Sequence, residues 1–183
     1  SLKRQMIPVF EEDLFKETPS AIVSKTIEKL SKHHKVQANP REINLFYFKE
    51  SIRERIVKVG DKFTIHHLPA GQAGSSFTFN ETEMRFELQN HPERFSPNVI
   101  LRGLFQETVL PNIAFIGGGG ETAYWLELKD LFDYYKIPFP LLMLRNSFLI
   151  IEKKWKEKIA KMNIPAIEFF KSEQLLLTEL VTR

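Results

Sequence analysis

The chain of 183 residues has no cysteine. That single absence removes disulfides, thiolate nucleophiles and cysteine-type zinc sites together. Glycine is scarce as well: there are eight, and four of them stand side by side. No apolar run approaches the roughly 20 residues needed to cross a bilayer. The N-terminal stretch "SLKRQMIPVFEEDLF" lacks both an apolar h-region and a small-residue cleavage site, so it does not read as a signal peptide. Charge of one sign is missing too. Lys and Arg number 26 against 23 Asp and Glu, a net of +3. That permits anionic ligands but lacks the clustered charge that nucleic-acid binding needs. We therefore expect a cytoplasmic protein with neither membrane nor nucleic acid as a partner. No initiator methionine opens the chain and both ends fall inside helical patterns, so we expect an excised piece of a longer protein.

Metal chemistry also finds little support. His33-His34 and His66-His67 are the only histidine pairs. Neighbours on a strand point to opposite faces, so His66 and His67 cannot both ligate one ion. No H-E-x-x-H motif occurs, and no metal site is expected.

What is present is a large apolar complement, including 16 phenylalanines, enough for a sizeable core. Leu2 to Glu17 reads as a helix. "TPSAIVSKTIEKL" reads as a second, with Thr18 as N-cap and Pro19 at the first helical position. "INLFYF", "RERIVKV", "FTIHHL" and "FTF" read as strands, and "PAGQAGSS" as a loop between the last two. Asn80 and Glu83 are spaced as a capping box for a helix to about Asn90. "HPERFSPN" separates this small α+β region from the C-terminal half of the chain. In that half, "VILRGLFQETVL" reads as a helix and "NIAFI" as a buried strand. A helix then runs from Glu121 to about Tyr135, and "LLML" is another buried strand. A basic helix spans about Ile151 to Met162, with Trp155, Ile159 and Met162 as its buried stripe. "IPAIEFF" reads as one more strand and "SEQLLLTEL" as a final helix. Strands alternating with helices imply parallel βαβ units and an α/β class.

The four glycines, Gly117, Gly118, Gly119 and Gly120, fall where a strand hands over to a helix, in "FIGGGGETAYW". In parallel α/β sheets ligands sit at the carboxyl ends of strands, and a helix N-terminus offers unpaired N–H groups to an anion. The spacing is neither G-x-G-x-x-G nor a P-loop, and it leaves a ligand loop and a structural turn both open. Glu121 either complements the helix dipole or accepts hydrogen bonds from a substrate amine or sugar hydroxyls. If "LLML" lies parallel to "NIAFI", then Arg145, Asn146 and Ser147 emerge at the same edge. Arg145 there suits a bidentate carboxylate or phosphate contact. Arg102, Gln106 and Glu107 share a helical face and could reach the crevice from a third side; the plainer reading is a solvated face.

From Arg94 to Ser147 the sequence resembles a known family. That family's pattern is F-S-x-N-V-x-x-R-P-L, then an apolar run, G-G-P-x-E-x-x-Y-W-x-x-L-K, and P-x-x-x-P-R. Phe95, Ser96, Asn98, Val99, Arg102 and Leu104 match the first block. Gly117, Gly118, Glu121, Tyr124, Trp125, Leu128 and Lys129 match the second, and Arg145 the third. "VQANPREINLFYF" followed by "RERI" is similar to the family's middle region. The family is BshC, the cysteine-adding enzymes of bacillithiol biosynthesis. Two positions depart from it: Gly103 and Gly119 stand where the pattern has proline.

The resemblance implies a partial Rossmann-like parallel sheet with an inserted small α+β connecting region. Residues 1–35 would be a helical lead-in of the core and 36–93 the connecting region. Residues 94–183 would be the second half of the core, leading toward a coiled coil that carries a homodimer. "AGQAGSS" echoes only superficially the G-G-Q-Q-A-G-L-F-G-G-type stretch of family members, so this chain corresponds to a central portion. The implied reaction is a ligase reaction joining L-cysteine through its carboxyl to the amine of glucosaminyl-malate. It needs an activated carboxyl, from ATP or another adenine nucleotide or from a different donor. The glycine loop, Arg102 and Arg145, with Asn146 beside them, would hold the malate carboxylates, and Glu121 the amine or sugar hydroxyls. No catalytic base is assigned. Two other readings compete: a nucleotide-binding or regulatory module without catalytic activity, and a structural piece in which the glycines only turn.

Overall fold

The computed structural model describes residues 2–49, 52–67 and 75–182; the expected loop "PAGQAGSS" falls largely outside them. The chain divides into two compact units, Ser1–Arg145 and Asn146–Arg183.

In the first unit a 3-10 turn, Leu2–Met6, leads into α1 (Ile7–Lys16). Met6, Val9, Phe10 and Leu14 are buried, the helical stripe that the sequence pattern requires. Glu17 then takes a left-handed conformation, φ 56°, and α2 (Thr18–Leu30) starts at once. Thr18, expected as the N-cap, is instead the first helical residue with Pro19 second, and no side chain caps this end. One left-handed residue both closes α1 and opens α2, which leaves no extended position for a capping Thr.

Five antiparallel strands come next. β1 (Leu45–Lys49), β2 (Ile52–Val59), β3 (Lys62–His67) and β4 (Ser75–Phe79) form a meander, and β5 (Phe95–Pro97) adds to the other side of β1. Phe46 faces Arg55 and Ile56 faces Ile65 across the ladder. Leu45, Tyr47, Ile56, Phe63 and Ile65 turn into the core. α3 (Glu81–Asn90) opens with the expected capping box: Glu83 N–H donates to Asn80 Oδ1 at 2.9 Å and Asn80 N–H to Glu83 Oε2 at 2.8 Å. The expected separator "HPERFSPN" is a 3-10 turn, Pro92–Arg94, followed by β5, so it supplies a strand to the sheet rather than dividing it off.

α4 (Val99–Val109) is capped by Asn98, whose Oδ1 accepts from Ile100 N–H at 2.8 Å. Then come β6 (Ala114–Gly117), α5 (Gly119–Glu127), α6 (Lys129–Tyr135) and β7 (Leu141–Leu144). β6 and β7 pair in parallel, Ala114 with Leu141 through Gly117 with Leu144. This is the expected βαβ unit, and the unit belongs to the α/β class. The single helix expected over 121–135 is two helices that break at Leu128, and the first begins at Gly119. The break lets Trp125, Leu128, Leu131 and Phe132 all reach the core. Phe115 stacks on Trp125 with ring centroids 4.3 Å apart, and Phe132 and Phe139 meet edge to face at 5.0 Å. Gly103, one of the two positions where the chain departs from the family's proline, lies inside α4. A Cβ there would come within 3.3 Å of the Trp125 ring, so glycine lets α4 approach the indole.

The second unit contains α7 (Lys153–Lys161), a 3-10 turn Ala166–Phe170 and α8 (Glu173–Thr182). "IPAIEFF", expected as a strand, is that 3-10 turn. Of the expected buried stripe, Trp155 is 50% and Met162, the cap of α7, 58% accessible, while Ile159 is half-buried. A unit of this size has too little volume to enclose large side chains. Among the described residues, no helix is long and apolar enough to cross a membrane.

Three buried carboxylates tie loops of the first unit to its helices. Asp13 on α1 accepts from Asn44 N–H at 2.7 Å and from the Asn44 amide at 2.9 Å. Glu107 on α4 accepts from Asn112 N–H at 2.7 Å and from its amide at 2.9 Å. Glu127 on α5 accepts from the N–H groups of Gln37 and Ala38 at 2.7 and 3.0 Å. Burial pushes the Asp13 carboxyl up to about 7, against the pull of the Asn44 hydrogen bonds. The folded protein therefore holds this proton after the unfolded chain has lost it near the ordinary value of 3.8. Stability from this group is full at low pH and falls as pH rises toward about 7. Asp13→Asn removes that slope and leaves one buried donor without an acceptor, a loss of about 1–3 kcal/mol. Urea midpoints at mildly acidic and mildly alkaline pH test this. The variant should be less stable at the acidic end, with a gap that narrows as pH rises; a constant gap contradicts the assignment.

Candidate functional site

The glycine loop sits at the carboxyl end of β6. Gly117 closes the strand, its carbonyl accepting from Arg145 N–H at 2.8 Å. Gly118 is the N-cap of α5 with φ −71° and ψ 170°, an ordinary extended conformation. Among the described glycines only Gly60 has positive φ. The run of glycines is therefore not there for left-handed backbone. A Cβ at Gly117 would lie 2.6 Å from the Phe115 ring, so glycine keeps Phe115 free to stack on Trp125. A Cβ at Gly118 would lie 3.0 to 3.3 Å from the Arg145 guanidinium, so this side chain lies directly on the loop. Gly119 has nothing within 4 Å of its would-be Cβ, and that of Gly120 would meet Gln37 Oε1 at 3.6 Å.

Two candidate residues thus converge with the loop. Arg145 lies against Gly118 from the end of the neighbouring parallel strand. Glu121, on the first turn of α5, accepts from Gly118 N–H at 2.8 Å. That bond occupies one of the amides a ligand would use, and its carboxylate also suits the positive end of the helix dipole. The amides of Gly119, Gly120 and Glu121 lie in the first turn, where an α-helix offers no internal acceptor. Thr122 Oγ1 is buried beside Gly117 without a hydrogen-bond partner. Together these groups form a compact corner of backbone N–H donors and one cation, with one fixed carboxylate at its rim.

Other candidates are placed elsewhere. Arg102 lines a different depression, along with Arg53, Arg55 and Asn98, on the side of β1 and β2. Gln106 donates to Glu107 at 3.1 Å, and Glu107 is buried holding Asn112. Asn146 is the first residue of the second unit. Among the described residues no group of three or more His, Asp or Glu is placed to hold a metal ion. Sequence reasoning missed Gln37, which reaches Gly120 only because Glu127 fixes the loop it sits on.

Comparisons with known proteins bear on the family and the fold class. The family model for the N-terminal Rossmann-like domain of bacillithiol biosynthesis BshC proteins matches residues 1–146, nearly coinciding with the first structural unit. The chain belongs to the BshC family. A relative from Flavobacterium johnsoniae, named "Putative cysteine ligase BshC", is 45% identical over 176 residues, 96% of this chain and 32% of that protein. One of the same name from Cytophaga hutchinsonii is 40% identical over 184 residues, 100% of this chain and 34% of that protein. A third, from Bacillus pumilus, is 35% identical over 124 residues, 68% of this chain and 22% of its own length. The chain spans about a third of the length of the first two curated relatives. The Rossmann-like fold class expected for it is that of the family model.

The departure from G-G-P at Gly119 now has a physical reading. Gly119 is the first residue of α5, with open space at its Cβ. Proline is favoured at that position, and the extended Gly118 before it is compatible. Gly119→Pro should stabilise the chain by about 0.4–1 kcal/mol. Gly117→Ala should destabilise it by roughly 1–3 kcal/mol through collision with Phe115. Thermal unfolding of the two variants checks both signs, and a stabilising Gly117→Ala would refute the packing role of that glycine.

Proposed function

We propose that this chain is part of a ligase that joins the carboxyl of L-cysteine to the amine of glucosaminyl-malate, within bacillithiol biosynthesis. The observation that carries the reading is the Arg145 guanidinium held on Gly118 at the start of α5. Two backbone elements and one cation converge there on a single anionic group. Glucosaminyl-malate supplies such groups in its malate carboxylates. Arg145 binds one carboxylate through its planar fork, and the first-turn amides of α5 bind an oxygen of the same group. Glu121 lies beside them as acceptor for the amine or a sugar hydroxyl.

The bond formed is an amide. The acceptor nitrogen attacks the carbonyl carbon of an activated cysteine, the leaving group departs with the electron pair of the broken C–O bond, and the amine gives up a proton. The chain's own residues would bind and orient the acceptor. The absence of cysteine from this chain fits a reaction whose thiol belongs to the substrate. Ligase activity belongs in this reading to the full-length protein, in the cytoplasm, with pairing of two copies through a coiled coil outside this chain. Nucleic acid has no role in it.

A titration of isotope-labelled chain with glucosaminyl-malate, following the amide signals of Gly117 to Gly120, tests the proposal. Saturable shifts should appear, and Arg145→Ala should weaken binding about tenfold or more, the value of a charge-assisted hydrogen bond. Silent glycine amides in a folded sample, or full affinity in Arg145→Ala, would remove the acceptor site from this loop.

A further inference from the structure

The depression that holds Arg102 is a cavity of about 610 Å³ on the side of β1 and β2. Its lining includes the side chains of Arg41, Arg53, Arg55 and Arg102, with Glu42 as the one carboxylate among the described lining residues; Lys58 pairs with Phe63 and projects from the other face of the sheet. Four arginines against one acid give a formal +3 in this one place, equal to the net charge of the entire chain. None of the four guanidinium groups forms an ion pair or a hydrogen bond with another protein group among the described residues. Several charges elsewhere in the first unit are matched, Lys29 with Asp130, Arg94 with Glu87 and Arg85 with Glu81. Like charges gathered in one concavity repel and focus the field there. An anion relieves that repulsion.

The cavity is also held in shape. Asn44 lies fully buried at its base, fixed by Asp13. Asn44 Oδ1 accepts from Arg41 N–H at 3.0 Å, and the Asn44 amide donates to Arg41 O at 2.9 Å, so the backbone of Arg41 is locked. The Arg53 guanidinium stacks over the Phe46 ring at 4.0 Å from the centroid, which restrains its head without using its N–H donors. Arg55 faces Phe46 directly across the ladder. Arg102 stands one turn beyond Asn98, the cap of α4. Phe46 and Val57, on the same sheet face as Arg53 and Arg55, give the cavity an apolar floor.

We propose that this cavity binds the di- or triphosphate group of a small molecule. Several guanidinium forks around one space match adjacent phosphoryl groups, each of which accepts bidentate N–H pairs. The volume suits a nucleotide-sized ligand, and the apolar floor takes the part of it that carries no charge. The cations surround a bounded hollow rather than a stripe along the surface, which is the footprint of a small ligand and not of a nucleic-acid strand. Arg102 serves this cavity, and Arg145 serves the glycine loop. The proposal is independent of the acceptor site at that loop.

Calorimetric titration of the chain with pyrophosphate and with ATP, at about 0.15 M salt to screen loose surface binding, tests it. Saturable binding should be seen for both. Arg55→Gln and Arg102→Gln, each at an exposed position, should weaken it about tenfold or more, while Arg145→Gln leaves it unchanged. No saturable binding of either probe overturns the proposal. So does binding lost in Arg145→Gln but kept in Arg55→Gln, which would move the phosphate site to the glycine loop. Affinity for a single-stranded RNA oligonucleotide with none for pyrophosphate would make the face a nucleic-acid surface and also overturn it. Loss of glucosaminyl-malate binding in Arg145→Ala with pyrophosphate binding intact keeps the two sites distinct.

Discussion

Asn44 is the point where the first unit is joined. Its N–H and side-chain amide both donate to the buried Asp13 carboxylate on α1. Its carbonyl accepts from Asn98 N–H at 2.9 Å and its Oδ1 from the Asn98 amide at 3.0 Å, while Asn98 caps α4. One asparagine thus fixes a helix, the entry to β1, strand β5 and the start of another helix. A buried carboxylate without donors would cost several kcal/mol, so the arrangement holds only as a set. Glu107 and Glu127 repeat the device on other loops. The two candidate sites depend on these pins, because Glu127 positions the loop that reaches Gly120 and Asn44 shapes the floor of the basic cavity.

The glycine loop shows how packing and ligand geometry share residues. Gly117 is small because Phe115 must lie flat on Trp125, and Gly118 is small because Arg145 lies on it. The same lack of side chains exposes the first-turn amides of α5. A turn kept bare for core packing is then available to an anion. Arg145 does not need a partner carboxylate to stay in place, since its backbone N–H is held by the Gly117 carbonyl in the parallel ladder.

The parallel pair is also incomplete as a surface. Ile116, Leu141 and Leu144 are each about two-thirds exposed. Parallel sheets ordinarily have both faces covered, because helices or further strands pack on them. The antiparallel sheet differs: Phe63, Ile65 and Tyr47 are buried on one face, and Arg53, Arg55 and Val57 are exposed on the other.

Much of the fold was legible in the residues. The strands β1 to β3, β6 and β7, the Asn80–Glu83 capping box and the βαβ order follow from apolar period, capping chemistry and turn residues, all local. The convergence of Gly118, Glu121 and Arg145 followed from one further assumption, that two apolar strands run in parallel. Other features were not legible. "IPAIEFF" carries β-favouring residues but folds as a 3-10 turn, because no strand lies beside it to pair. Trp155 and Met162 keep a helical stripe, yet nothing in their unit is large enough to bury it. Arg53 and Arg55 already share a strand face by spacing. That Arg41 and Arg102 join them, from a loop and a helix far off in sequence, depends on β5 pairing with β1. By itself the sequence determined most of the helices and strands, the Asn80 and Glu83 capping box, and the family the chain belongs to, since these rest on local pattern and contacts between near neighbours. The tertiary structure decided which charges stand together and which glycines are sterically required. Those depend on distances between residues that only packing brings close.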